Sequence, residues 1–242
     1  MLDKDQTMTD ALTVEIWHDV ICPICPIGVR RFRKALDQFD GRDRVKVVYR
    51  SYRLMRNVVP HSVDEHIAHK FGRGQKAAPI LKQVSQVAAQ EGITYDLENT
   101  LAGDTLDAHR LLYLAGADGK QKALIERFHR GYFSEHANLF DPDALLRLAV
   151  EAGLDEPSVA DVLDGDRFTA NVEADQAEAH ARGIRSVPHF LIDRRISVSG
   201  GQAPEDFLAA LNSTWTSRPP LEGNSSAELS CGDDGCYAPI RS

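Results

Sequence analysis

At 242 residues, with 43% hydrophobic residues, a formal net charge of −8 and a pI near 5.6, the chain can bury one large core, or one core carrying a substantial insertion. The acidic balance excludes a general nucleic-acid or anionic-membrane surface, which needs a basic face. Residues 1–10 hold no apolar signal-peptide core and no run approaches the length of a membrane span, so the expected compartment is cytoplasmic.

In chain order, residues 13–18 (Thr-Val-Glu-Ile-Trp-His) read as a short strand, and residues 28–39 repeat Val29, Phe32, Leu36 and Phe39 at helical spacing. Arg30, Arg31, Arg33 and Lys34 on that helix form a solvated face rather than a binding patch. A turn at 40–43 leads to a second strand over 44–54, parallel to the first, which completes a βαβ unit with a right-handed crossover. From 57 to about 165 helical signals dominate. Helices are expected over 79–91, 105–117 and 120–133, and over 144–152 behind an Asp141-Pro142 start and ahead of Gly153. Shorter and longer helices follow over 157–163 and 168–181. Residues 188–192 and 196–199 then read as an antiparallel hairpin around Asp193-Arg194-Arg195, followed by a helix over 204–211. From Ser213 onward the composition turns to that of a tail, with Pro219, Pro220, Gly223, Ser225 and Ser226.

The chemistry sits where the first strand turns into the first helix, at Ile21-Cys22-Pro23-Ile24-Cys25-Pro26-Ile27-Gly28. A sulfur at or just before the first helical turn faces unpaired N–H groups and the positive end of the helix dipole, and both favour thiolate over thiol. Cys22 is therefore expected to attack, and Cys25, one turn further in and more enclosed, to resolve the mixed disulfide. The same spacing is also half of many zinc sites, but no second Cys-x-x-Cys or His-x-x-x-His lies nearby to complete four ligands. Two plain buried cysteines are the third reading. The tail carries a second pair, Cys231-Gly232-Asp233-Asp234-Gly235-Cys236, whose glycines allow the two sulfurs to meet.

Several separated motifs now fall in one order. The strand, the Cys-Pro-x-Cys helix, the helical block and Gly183-Ile184-Arg185-Ser186-Val187-Pro188-His189-Phe190 ahead of a hairpin resemble the DsbA-like branch of the thioredoxin-fold proteins. Ser134-Glu135, Asn138-Leu139, Gly183-Ile184, Ser186-Val187-Pro188 and Ser199-Gly200-Gly201-Gln202 resemble its FrnE-type oxidoreductases in particular.

The resemblance implies an α/β chain with a thioredoxin-like fold interrupted by a large α-helical insertion. Its segments would be a flexible N-terminus (1–12), a first thioredoxin-like segment (13–60), the helical insertion (61–165), a second thioredoxin-like segment (166–213) and a C-terminal tail (214–242) with the second cysteine pair. It further implies a cis Val187-Pro188 peptide facing the motif. A proline there has no N–H to capture the sulfurs, and the Val187 backbone is left to pair with an extended substrate. Cys231 and Cys236 match a Cys-x4-Cys extension of some FrnE-type proteins and would serve as an auxiliary redox pair or, alternatively, as a metal clip or regulatory lid.

Ile24 and Pro26 stand where the family commonly has aromatics, and neither side chain donates a hydrogen bond to a thiolate, so a redox potential does not carry over. Asp19 matches the family, with two readings: an anion opposing thiolate formation, or a cap of the loop. His18 is read as a strand-end packing residue or a local base. The expected function is that of a thiol–disulfide oxidoreductase, with isomerase activity in scope, acting on disulfide-containing proteins or peptides and reset by an unidentified thiol reductant or oxidant. It has no resident cofactor and no metal, and glutathione is a candidate co-substrate. Neither nucleic acid nor membrane is a partner. The alternatives are a glutathione-dependent chromene-carboxylate-type isomerase, a branch that generally lacks the dithiol, and a zinc-loaded, redox-switched binding protein.

Overall fold

The sheet is assembled around its first strand, β1 (Leu12–His18), every residue of which but Thr13 is buried. Such burial requires partners on both edges. β1 pairs in parallel with β2 (Val45–Ser51), and its other edge is taken antiparallel by the strand His189–Ile192, which pairs in turn with Ile196–Ser199. In chain order these last two are β5 and β6, and the sheet runs β2-β1-β5-β6. A second, two-stranded sheet pairs β3 (His61–Ser62) with β4 (Leu101–Ala102). The computed structural model describes residues 11–72 and 76–218, together with the backbone of two tail strands, β7 (Ser230–Gly232) and β8 (Gly235–Tyr237).

Alternation along β1 sends its side chains into two different cores. Leu12, Val14 and Ile16 meet Val29, Phe32 and Ala35 of α1 (Ile24–Asp37) and Phe207, Ala210 and Leu211 of the helix Pro204–Thr216, α9 in chain order. On the other face Trp17 packs with Leu191, Ile184, Val187 and Ala179, the last from α8 (Thr169–Ala181), and with both motif cysteines.

Glu15 shares that second face, and a buried carboxylate needs cations. Arg50 of β2 and Arg194 of the β5–β6 turn both donate to it. Asp175 does comparable work between layers. It accepts from the Ser51 N–H at 2.8 Å, from Arg50 at 3.1 Å and from the Tyr113 hydroxyl at 2.5 Å, while its carbonyl takes the Trp17 indole N–H at 3.2 Å.

Between β2 and α8 lie α2 (Val63–Phe71), α3 (Ala77–Gln90), α4 (Leu106–Ala117), α5 (Gln121–Ser134), α6 (Pro142–Glu151) and α7 (Glu156–Asp164). This is the α/β arrangement that the resemblance implied, with its helical insertion. The helices α4 to α7 share one core containing Leu111, Leu112, Leu124, Phe128, Leu145, Leu148, Val159 and Val162. Val20 and Ile21, the two residues ahead of Cys22, are buried in that same core. Each such side chain contributes about 1.5–3 kcal/mol by leaving water. The helical block therefore grips the reactive loop as well as following the sheet.

Several boundaries differ from the sequence reading. α1 begins at Ile24 rather than at 28, because Pro26 falls in the first helical turn, where the N–H it lacks has no helical acceptor. α9 runs to Thr216 rather than stopping at 211. Thr214 is buried, and Trp215 packs edge-on to Phe39 with the Arg44 guanidinium 4.2 Å above its ring, so the ordered chain continues past the expected start of the tail. At the other end Leu12, placed in the flexible terminus, is the first residue of β1 and fully buried.

Candidate active site

The loop from His18 to Pro23 is held by Asp19, whose side chain is fully buried. One carboxylate oxygen accepts from the Thr105 hydroxyl at 2.8 Å and lies 3.4 Å from His109 Nε2; the other accepts from the Leu54 N–H at 2.8 Å. Its backbone carbonyl takes the Cys22 N–H at 3.2 Å. Of the two roles expected of Asp19 the structure displays both, since it caps the loop while its charge works against the thiolates. His18 packs as expected of a strand-end residue. Its ring lies edge-on to Tyr49 with His109 and His129 beside it, and burial, then the neighbouring imidazoles, pull its pKa well down.

Pro23 is the N-cap of α1 and contributes no side-chain cap, and no acidic residue lies in the first turn. Prolines at 23 and 26 leave Ile24 and Cys25 as the N–H donors next to Cys22. The Cys22 thiol is pulled below its ordinary value of 9.0, first by a hydrogen bond from Cys25, and also by the Ile24 and Cys25 N–H groups, against burial and the Asp19 charge. The Cys25 thiol is pushed well above 9.0, by burial first, then by donating to Cys22 and by the charge there. Cys22 is 5% exposed and Cys25 is 0% exposed. Between the two titrations the charge resides on Cys22 and the proton on Cys25.

Facing the motif is the loop before β5. Val187-Pro188 is cis, as the resemblance implied. The Cys22 thiol reaches the Val187 carbonyl at 3.4 Å, and the Gly200 N–H donates to the Pro188 carbonyl at 2.8 Å. This loop and the segment after β6 both approach α1 closely, tightest at Gly28. A Cβ on Gly28 would stand 2.8 Å from Pro188 Cγ, and one on Gly201 would stand 3.2 Å from Ile24 Cγ2. Arg31 then ties the layers together, donating to the Gly201 carbonyl at 2.6 Å and to Glu91 at 2.7 Å.

Tyr95 escaped the sequence reading. Its hydroxyl donates to the Pro23 carbonyl at 2.7 Å, and its own pKa is driven up by burial and then by the two nearby sulfurs. It lies 72 positions from Pro23, in the segment between α3 and β4, and no local pattern marks it. Tyr95 and Pro26 also border a cavity of about 930 Å³ between α1 and α5, whose wall includes Arg30, Arg33 and Arg130. Neither motif cysteine lines it.

In the tail, the backbone of β7 and β8 forms an antiparallel hairpin in which Cys231 stands directly opposite Cys236. Their side chains lie outside the described residues. Among the described residues no group of three or more His, Cys, Asp or Glu side chains is arranged to hold a metal ion, and no helix is long and apolar enough to cross a membrane.

A family description, DSBA-like thioredoxin domain, matches residues 13–212. Among solved structures, a probable DsbA oxidoreductase from Streptomyces coelicolor is 38% identical with a TM-score of 0.81, over 95% of this chain and 100% of that one. A putative protein disulfide isomerase from Nitrosomonas europaea is 18% identical with a TM-score of 0.66, over 85% and 98%. The cytosolic disulfide reductase DsbM from Pseudomonas aeruginosa is 18% identical with a TM-score of 0.58, over 85% and 100%. The latter two likenesses speak to the fold.

Proposed function

The chain belongs to the DSBA-like thioredoxin family and is a thiol–disulfide oxidoreductase, and from that premise we propose that it exchanges disulfides with proteins or peptides through Cys22 and Cys25, in the cytoplasm. The observation that carries this reading is the asymmetry of the pair: a lowered thiol at the helix start and a raised, fully enclosed one behind it.

The Cys22 thiolate attacks one sulfur of a substrate disulfide, forming the Cys22–substrate bond and expelling the other substrate sulfur as a thiolate, which takes up a proton. Cys25 then loses its proton and attacks Cys22 Sγ. This closes the Cys22–Cys25 disulfide and releases the second substrate thiol. Run backwards, the same steps donate the disulfide. Val187 and Pro188 form one wall of the substrate groove, where an extended peptide pairs with the Val187 backbone.

Cys231 and Cys236 act as an auxiliary pair of FrnE type that exchanges with Cys22. Chain length supports this reading. Arg218 is anchored beside the start of β1 through the Ala11 carbonyl, and Cys231 follows it by thirteen positions, a reach of up to about 45 Å. The seven residues of β1 span only about 23 Å.

Insulin reduction in the presence of a small dithiol, with a parallel glutathione series, tests the reading. Wild type is expected to accelerate it and Cys22→Ser to be inactive. Full activity on a chromene-type substrate with no insulin reduction by wild type would instead assign the glutathione-dependent isomerase. One stoichiometric zinc, with no thiol titratable at Cys22, would assign the binding protein.

A further inference from the structure

Arg31 is one of the four cations that the sequence places on a solvated face of α1, yet its side chain is only 20% exposed and is used in two directions. Its Nε donates to Glu91 Oε1 at 2.7 Å and its Nη1 to the Gly201 carbonyl at 2.6 Å. A planar guanidinium presents these donors at fixed angles, so fixing one end of the fork fixes the other. Glu91 is also gripped by Lys34, at 2.7 Å, and is almost wholly buried as the C-cap of α3. A buried carboxylate at the negative end of a helix is a poor choice for stability alone. What the grip holds leads to the reactive sulfur. Gly201 follows Gly200, whose N–H holds the Pro188 carbonyl at 2.8 Å, and the Val187 carbonyl of the same cis pair lies 3.4 Å from Cys22 Sγ.

We propose that Arg31, oriented by Glu91, is a positioning residue for disulfide exchange: by holding the Gly201 carbonyl it seats the Val187-Pro188 loop against Cys22, and so sets how well an extended substrate engages. This deepens the reading that peptide substrates pair with the Val187 backbone, and rests on it. The side-chain contacts of Arg31 are with Glu91 and Gly201 rather than with either sulfur, so it acts through the loop.

Removing the guanidinium takes the charged donor from the Gly201 carbonyl and lets the loop drift from α1. The motif itself stays in place, because Asp19 and the start of α1 hold it. The loss therefore falls on substrate binding. KM is expected to rise roughly ten-fold, the order of one charge-assisted hydrogen bond, with kcat nearly unchanged.

Turnover of a self-quenched fluorescent peptide disulfide, with a small dithiol as reductant, reads KM and kcat separately, and melting followed by circular dichroism checks folding. Arg31→Met is expected to raise KM about ten-fold and to leave kcat within about two-fold of wild type. Arg31→Lys keeps the charge beside Glu91, but a single ammonium cannot reproduce the fork. It is expected to raise KM similarly, and it carries the test should Arg31→Met not fold. Lys34→Met is the control: it removes an ion pair of the same 2.7 Å length from Glu91 without touching Gly201, and is expected to keep the wild-type KM. Folded Arg31 variants with wild-type KM overturn the proposal. So does a rise in KM that Lys34→Met shares, which assigns the effect to the docking of α3, or a fall in kcat as large as the rise in KM, which assigns it to damage at the motif. Failure of both Arg31 variants to fold makes the residue structural and overturns it too. A wild-type protein that turns over no peptide disulfide overturns the parent reading and this proposal together.

Discussion

Replacing Gly28 by alanine tests whether the contact between α1 and the proline loop is as tight as its geometry requires. In an open helix interior the change is favourable by about 1 kcal/mol, because alanine restricts the unfolded chain and suits the helix. At Gly28 the new methyl meets Pro188 Cγ at 2.8 Å, Gly201 Cα at 3.4 Å and Phe190 at 3.5 Å. A proline ring cannot swing aside, so the loop or the helix must move, and overpacking of this kind costs about 1–3 kcal/mol. The net expectation is a loss of up to about 2 kcal/mol, or a Tm lowered by roughly 2–4 °C per kcal/mol, together with weaker peptide binding as the Val187-Pro188 loop shifts. Gly116, near the end of α4, is the matched control. A Cβ there meets nothing closer than Gln121 at 3.7 Å, so Gly116→Ala is expected to stabilise by about 0.5–1 kcal/mol. Differential scanning calorimetry of both variants decides. A Gly28→Ala protein as stable as Gly116→Ala, with unchanged disulfide exchange, would refute the packing argument.

Three further outcomes follow from the same geometry. In Cys25→Ala the main influence lowering the Cys22 thiol is gone, so the pH at half-maximal Cys22 alkylation should rise towards the ordinary thiol range; an unmoved midpoint would assign the effect to the helix N–H groups alone. Burial pushes the Glu15 carboxyl up, but the hydrogen bonds and charges of Arg194 and Arg50 outweigh it and leave it below 4.5. That stability is present above the unfolded value and is lost as pH falls through the folded one. Urea midpoints should therefore fall more gently on the acid side of about pH 4.5 in Glu15→Gln than in wild type, and parallel curves would contradict the pairing. Tyr95→Phe removes the hydroxyl that holds the Pro23 carbonyl at 2.7 Å; a loss of about 1 kcal/mol in urea unfolding is expected, and no change would mean that the contact contributes nothing.

The reactive core was legible because its signals are local. Apolar runs announced β1 and β5, the spacing of Val29 and Phe32 announced α1, and two cysteines at the strand-to-helix turn announced the chemistry. What stayed hidden depends on partners far along the chain. Glu15 looks out of place in a buried strand until Arg50 and Arg194 arrive, 35 and 179 positions away. Tyr95 and Thr105 have no local pattern, yet one holds Pro23 and the other Asp19. The last turns of α9 were lost because a Ser-Thr-rich composition reads as tail. Burial of Thr214 and the seat of Trp215 against Phe39 override that propensity. The first turn of α1 was obscured by Pro26, which breaks a helix interior but not a helix start.

The central claim, that Cys22 attacks disulfides and Cys25 resolves them, is tested most directly by trapping. The Cys25→Ser protein is incubated with oxidised insulin, quenched in acid, digested and read by mass spectrometry. The account predicts a mixed disulfide confined to Cys22, with none formed by Cys22→Ser. An adduct on Cys25 in the Cys22→Ser protein, or no adduct on Cys22 in the Cys25→Ser protein, would contradict it.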